Sequence, residues 1–186
     1  IPVAVNLNQV LRMTITNGGN IEFVFNSIDD YRLGLSGDPA SSAANPATSN
    51  DFYVTDFTVA SSTRWNLNYG SEEATFIGTD NPGNTLPLAN VGFTLASTAP
   101  GGHDFETGGT QGTTVDAELW SEPTVGGTEI SALTAYPTLL IDDNGVDEAN
   151  AGDADDNTFQ IGWRCGTVEA SASTTPMLGE NLLDQN

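Results

Sequence analysis

The chain has 186 residues, with 25 aspartates and glutamates, four arginines and no lysine, so its formal net charge is -21. Such a surface repels nucleic acids and anionic membranes, and it lacks the cations that hold phosphate or carboxylate substrates. The length and the 38% of hydrophobic residues are sufficient for one folded domain with a real core.

The N-terminal segment alternates apolar and polar side chains from Ile1 to Ile15, which predicts a β-strand with one apolar face. The sequence Asn-Gly-Gly-Asn follows at residues 17–20. Paired glycines readily adopt a tight turn, so we expect a hairpin from about residue 10 to residue 26.

The alternation before that turn is too long for one strand. Residues 1–16, which precede the turn, would span roughly 50 Å as one strand, whereas typical strands have about 5–6 residues. Two explanations fit this length. Either the strand breaks near residues 6–9, or residues 1–8 leave their own domain and pair elsewhere.

Further strands are predicted along the rest of the chain by alternation or by dense apolar runs bounded by Gly, Pro, Asn and Asp. Short helices are expected at residues 27–35 and 177–183, and long surface loops at residues 37–50 and 99–112. We therefore predict an all-β fold, an antiparallel β-sandwich of the immunoglobulin-like or jelly-roll-like kind. The further strand segments are residues 53–59, 65–69, 74–77, 91–95, 115–119, 137–141 and 159–165.

Acidic and amide side chains are dense between residues 142 and 157. Calcium takes six to eight oxygen ligands, which carboxylates, amides and carbonyls of a flexible loop can supply. The spacing does not match an EF-hand, and a solvated acidic loop between two strands is the simpler interpretation. No other cofactor is expected. The candidate calcium ligands are Asp142, Asn144, Asp147, Asp153 and Asp155.

No set of residues indicates catalysis, and we expect no enzymatic activity. His103 is the sole histidine and lies in a glycine-rich stretch, without the Gly-x-Ser-x-Gly motif of a serine nucleophile. Glu72 and Glu73 are adjacent, so on a strand they would point to opposite faces and could not act together as acid and base.

The tryptophans and the single cysteine have simpler structural roles. Trp65 and Trp163 share the apolar phase of their strands, which favours packing in the core over a sugar-binding platform. Trp120 falls in the polar phase of its strand and is the candidate exposed aromatic for a ligand. Cys165 is alone, which excludes an intrachain disulfide, and its phase predicts a buried structural thiol.

The N-terminal arm gives the chain its clearest resemblance. An apolar face on an extended arm precedes an all-β body, and in this the chain resembles the β-sandwich subunits of bacterial surface pili that polymerise by donor strand. In such assembly an extended segment of one subunit fills a groove in the next. The resemblance implies a donor arm at residues 1–8 and one β-sandwich domain at residues 9–186. The side chains that would enter the groove are Ile1, Val3, Val5 and Leu7.

We therefore expect a structural subunit of a secreted bacterial filament, outside the cell or at its surface, that polymerises head-to-tail with copies of itself. The first residue is Ile, which indicates processing or a start inside a longer precursor. Neither nucleic-acid binding nor membrane insertion is expected, and glycans or a cell surface are further candidate partners. The alternative is a secreted carbohydrate- or calcium-binding β-sandwich module that uses Trp120 and the acidic loop.

Overall fold

The computed structural model describes residues 7–36, 53–79, 81–97, 131–141, 150–167 and 177. These residues form ten strands, one short α-helix and a 3-10 turn at Leu88–Asn90, so the predicted all-β class is confirmed. The helix, α1, spans Ile28–Leu33. The strands are β1 Leu11–Asn17, β2 Leu35–Ser36, β3 Val54–Ser61, β4 Leu67–Tyr69, β5 Thr75–Ile77, β6 Thr85–Pro87, β7 Val91–Ser97, β8 Ser131–Ala132, β9 Thr138–Ile141 and β10 Thr158–Cys165.

Six strands form one antiparallel sheet, which we call the main sheet. Its order is β1-β3-β10-β7-β8, and β2 pairs with the end of β10. Strands β4 and β9 form a second sheet, and β5 and β6 form a separate two-stranded sheet. All these ladders are antiparallel.

The core lies between the main sheet and the second sheet. Phe57 on β3 faces Phe159 on β10, and the two rings stack with centroids 5.0 Å apart. Trp65 approaches Phe159 edge-on, at 6.1 Å. This packing of two sheets confirms the sandwich-like architecture. The buried core residues are Phe57, Val59, Trp65, Phe93, Leu95, Leu140, Ile141 and Phe159.

The prediction of a hairpin from about residue 10 to residue 26 is wrong. β1 pairs with β3, from Leu11 opposite Ser61 to Asn17 opposite Asp56, and residues 20–26 carry no strand assignment. The turn still occurs at Gly18, whose φ of 63° suits glycine. There the Thr55 hydroxyl donates to the Gly18 carbonyl at 2.7 Å, so the chain turns against β3 and does not return along β1.

The other predicted elements agree with the structure wherever it describes them. Six predicted strand segments each contain an observed strand. They are residues 53–59, 65–69, 74–77, 91–95, 137–141 and 159–165. The helix predicted at residues 27–35 is α1, which a capping box at Ser27 and Asp30 begins. Strands β2, β6 and β8 were not predicted. The strand at 115–119, the loops at 37–50 and 99–112, and residues 178–183 lie outside the described residues.

Candidate assembly groove

An open groove of about 540 Å³ lies between the inner face of the main sheet and strand β4. We call it the apolar groove. Its floor includes Met13 and Ile15 of β1, and Phe23 and Phe76 contribute to its sides. None of the nineteen described residues that line it carries a charged side chain. On a chain with a net charge of -21, this is a distinct surface.

The floor of the groove is the uncovered part of the sandwich. Met13 pairs across the sheet with Val59, and Ile15 pairs with Phe57. Val59 and Phe57 are buried, whereas Met13 is 48% and Ile15 is 53% exposed. The second sheet therefore covers the inner face of β3 and leaves the same face of the neighbouring strand β1 open.

The walls of the groove are held by contacts with the core. Tyr69 on β4 donates its hydroxyl hydrogen to the Ala132 carbonyl at 3.1 Å, and its ring meets Phe93 edge-on at 5.0 Å. On the other side Phe23 stacks on Tyr53, with centroids 4.7 Å apart. Because both walls are fixed by such contacts, the groove is preformed in the single chain.

Residues 9 and 10 continue the line of β1. The Val10 N–H donates to the Ser62 hydroxyl at 2.9 Å, and the Ser62 N–H donates to the Val10 carbonyl at 2.9 Å. The Gln9 amide donates to the Thr63 hydroxyl at 2.8 Å. These pairs continue the register in which Leu11 faces Ser61, so the chain passes straight beyond the end of the strand.

One predicted donor residue falls among the described residues. Leu7 is 89% exposed, which leaves nearly its whole side chain available for a contact outside its own body. The other three, Ile1, Val3 and Val5, lie outside the described residues.

Two of the five candidate calcium ligands, Asp153 and Asp155, are described, and they lie in a turn that is held by hydrogen bonds among its own residues. The Asp153 carboxylate accepts from the N–H of Asp155 at 2.9 Å and of Asp156 at 3.4 Å. The Asp156 carboxylate accepts from the Asp153 N–H at 3.0 Å. Among the residues that the structure describes, no group of three or more His, Cys, Asp or Glu could hold a metal. The other candidates, Asp142, Asn144 and Asp147, lie outside them.

A buried amide cluster beside this acidic turn was missed by the sequence patterns. Asn150 accepts from the Trp65 N–H at 3.0 Å and donates to the Trp65 carbonyl at 2.6 Å. The Trp65 indole N–H donates to the Asn150 carbonyl at 2.8 Å, and the Asn157 amide donates to the same carbonyl at 3.2 Å. Asparagine is common in exposed turns, so composition gave no signal of this role.

The remaining sequence candidates do not form a second site. Glu72 and Glu73 are exposed in a bend before β5, so the argument that placed them on a strand was wrong in its premise. Trp65 is buried, as predicted. Cys165 is also buried, and the cost of burying a thiolate raises its pKa to about 12.

Trp163 packs against the core, as predicted. Trp120 and His103 lie outside the described residues. Within the described part of the chain, no helix is long and apolar enough to span a membrane. No protein-family model matches this chain, and no curated protein matches it.

Proposed function

We propose that the chain is the structural subunit of an extracellular filament, which grows head-to-tail when residues 1–8 of one copy enter the apolar groove of the next. The observation that carries this proposal is the uncharged, half-open groove on a chain with a net charge of -21. The arm matches it, because no charged residue precedes Arg12 in the sequence. Both surfaces can therefore lose their water without burying a charged side chain.

The free energy of binding between the arm and the groove of the next copy, a contact that we call the joint, can be bounded from the arm's side chains. Full burial of the four apolar arm residues would contribute about 6–12 kcal/mol, at about 1.5–3 kcal/mol each. Association costs about 4–15 kcal/mol in lost freedom of motion. Side-chain burial alone is therefore comparable to the cost, and a stable joint also needs main-chain hydrogen bonds and cover for Met13 and Ile15.

The pairing of residues 9 and 10 favours donation of the arm to a second copy. Residues 9 and 10 are paired with residues 63 and 62 and lead away from the strand whose side chains form the groove floor. Entry into the chain's own groove would require a reversal within a few residues and loss of these contacts. Donation between copies keeps them, and a donor and a groove at different places on one subunit give an open, head-to-tail polymer.

Sedimentation and negative-stain electron microscopy of the purified chain test the proposal. We expect fibres from the full chain at about 0.15 M salt and a compact monomer after deletion of residues 1–8. The melting temperature of that monomer should equal that of the unassembled full-length chain. A synthetic peptide of residues 1–8 should bind the truncated body. The proposal is wrong if the full chain stays monomeric at high concentration, or if the truncated chain forms the same fibres.

A further inference from the structure

We propose that the donated arm becomes the third strand of the second sheet, hydrogen-bonded to β4, and does not extend the main sheet beside β1. This inference rests on the proposed function and names the strand that receives the donor. Among the strands that line the groove, β1 and β4 are the two that could pair with a donated strand beside it. They present different parts of themselves to it.

The pattern of lining residues distinguishes an edge from a face. Side chains alternate between the two faces of a strand, so a surface that meets a strand's face is lined by every second residue. β1 lines the groove with Met13 and Ile15 but not with Thr14 between them. By contrast, residues 67–70 line it consecutively. β1 therefore turns its side chains to the groove, and β4 turns its edge.

The hydrogen-bonding partners of β4 agree with this reading. Within the described ranges, its only ladder is with β9, where Leu67 faces Ile141 and Tyr69 faces Thr138, with a register shift between Leu67 and Asn68. The groove meets residues 67–70 and also Leu140 of β9, and we assign the donated strand to the edge of β4 that does not pair with β9. Residues 18–21 line the opposite side consecutively as well. The groove is thus a slot with a backbone edge on each side and a floor of apolar side chains, which suits an extended chain.

Only a strand in this slot covers the exposed floor. A strand in the second sheet lies about 10 Å from the main sheet, with its inward side chains on the floor residues. The inward side chains of the arm would then rest on Met13 and Ile15. A strand added to the outer edge of β1 would lie in the plane of the main sheet and leave those two side chains uncovered.

Cysteine cross-linking in assembled fibres distinguishes the two positions. The test variant combines Asn6→Cys, in the polar phase of the arm, with Asn68→Cys, which is an exposed position on β4. The matched control combines Asn6→Cys with Thr16→Cys, an exposed position on β1. Since the register is open, both pairs are repeated with Ala4→Cys and Asn8→Cys. Native Cys165 is buried, so it does not contribute cross-links.

We expect a covalent ladder on a non-reducing gel from at least one Asn68→Cys pair and none from the Thr16→Cys pairs. In wild-type fibres, hydrogen exchange at residues 67–69 should slow on assembly, which provides a measurement free of substitutions. Ladders from Thr16→Cys alone, or fibres without new protection at residues 67–69, would overturn the assignment of β4 while the filament itself stands. A wild-type chain that forms no fibres would instead refute the proposed function.

Discussion

Leu7→Ala is the sharpest test of the proposed donor arm, because Leu7 is the proposed donor residue whose surroundings the structure describes. In the single chain its side chain is 89% exposed. Truncation at such a position changes the free energy of unfolding by no more than about 0.5 kcal/mol. In a filament the same side chain would be buried in the groove of the next copy, so the effect should appear in assembly alone.

The size of that effect follows from the atoms removed. Leu→Ala deletes three carbons, each of which contributes about 0.8 kcal/mol when buried, or about 2.4 kcal/mol in all. A cavity that the joint cannot close would raise the loss toward about 5 kcal/mol. Since every 1.4 kcal/mol is a factor of ten, the critical concentration for assembly should rise at least about 50-fold.

Sedimentation over a range of concentrations gives the critical concentration, and thermal unfolding of the soluble fraction gives the stability of the body. Asn8→Ala is the matched control, since it lies next along the arm, is exposed and falls in the opposite phase. We expect a change of less than about threefold for the control, equivalent to about 0.6 kcal/mol. Equal critical concentrations for the two variants would show that Leu7 is not an anchor.

Three further predictions concern the groove, the core and the thiol. Ile15→Asp should abolish assembly whereas Ile77→Asp should not, because both side chains are 53% exposed but only Ile15 lines the groove; sedimentation decides, and equal loss would refute the role of the groove. Asn150→Ala should lower the free energy of unfolding by about 2–4 kcal/mol in urea titrations, since it removes two hydrogen bonds to the buried Trp65 backbone, and a change below about 1 kcal/mol would contradict this role. Burial raises the pKa of Cys165 from 9.0 to about 12, so the folded thiol stays protonated while the unfolded one ionises, and stability should fall above about pH 9. Cys165→Ala should flatten that fall in urea midpoints between pH 8 and 10, and an unchanged slope would contradict it.

Local alternation and apolar runs predicted most of the strands, though not β2, β6 and β8, and they did not predict which strands pair. Apolar side chains at every second position place residues 53–59 and 159–165 on strands whatever surrounds them, and β3 and β10 confirm both. The partner of β1 depends on a competition that alternation does not describe. The Gly-Gly turn favours a local return, yet β3 offers β1 a ladder from Leu11 to Asn17, against a strand already buried in the core.

For the apolar groove too, alternation predicts the local structure but not the contacts between distant strands. The apolar phase that contains Met13 and Ile15 was visible in the sequence, and it predicted that these side chains face inward. Whether a second layer covers them depends on where β4 and β9 end across the sandwich, more than fifty residues away along the chain. The exposure of an inward-facing side chain therefore depends on how the two sheets are assembled. Alternation alone cannot distinguish a half-exposed inward-facing residue from a core residue.

The net charge and the uncharged joint should act as separate terms in assembly. The acidic turn at residues 153–156 follows Gly152, which bridges to Ser61 at the end of β3 where the arm leaves. Each joint of the proposed filament would therefore bring carboxylates of one subunit toward the next, and their repulsion extends about 30 Å in 0.01 M salt but only about 8 Å in 0.15 M salt. The critical concentration should rise as salt is lowered over this range. The ratio between Leu7→Ala and wild type should stay constant, because the apolar contact itself carries no charge. A ratio that changes strongly with salt would show that the arm binds through electrostatics and not through the apolar groove.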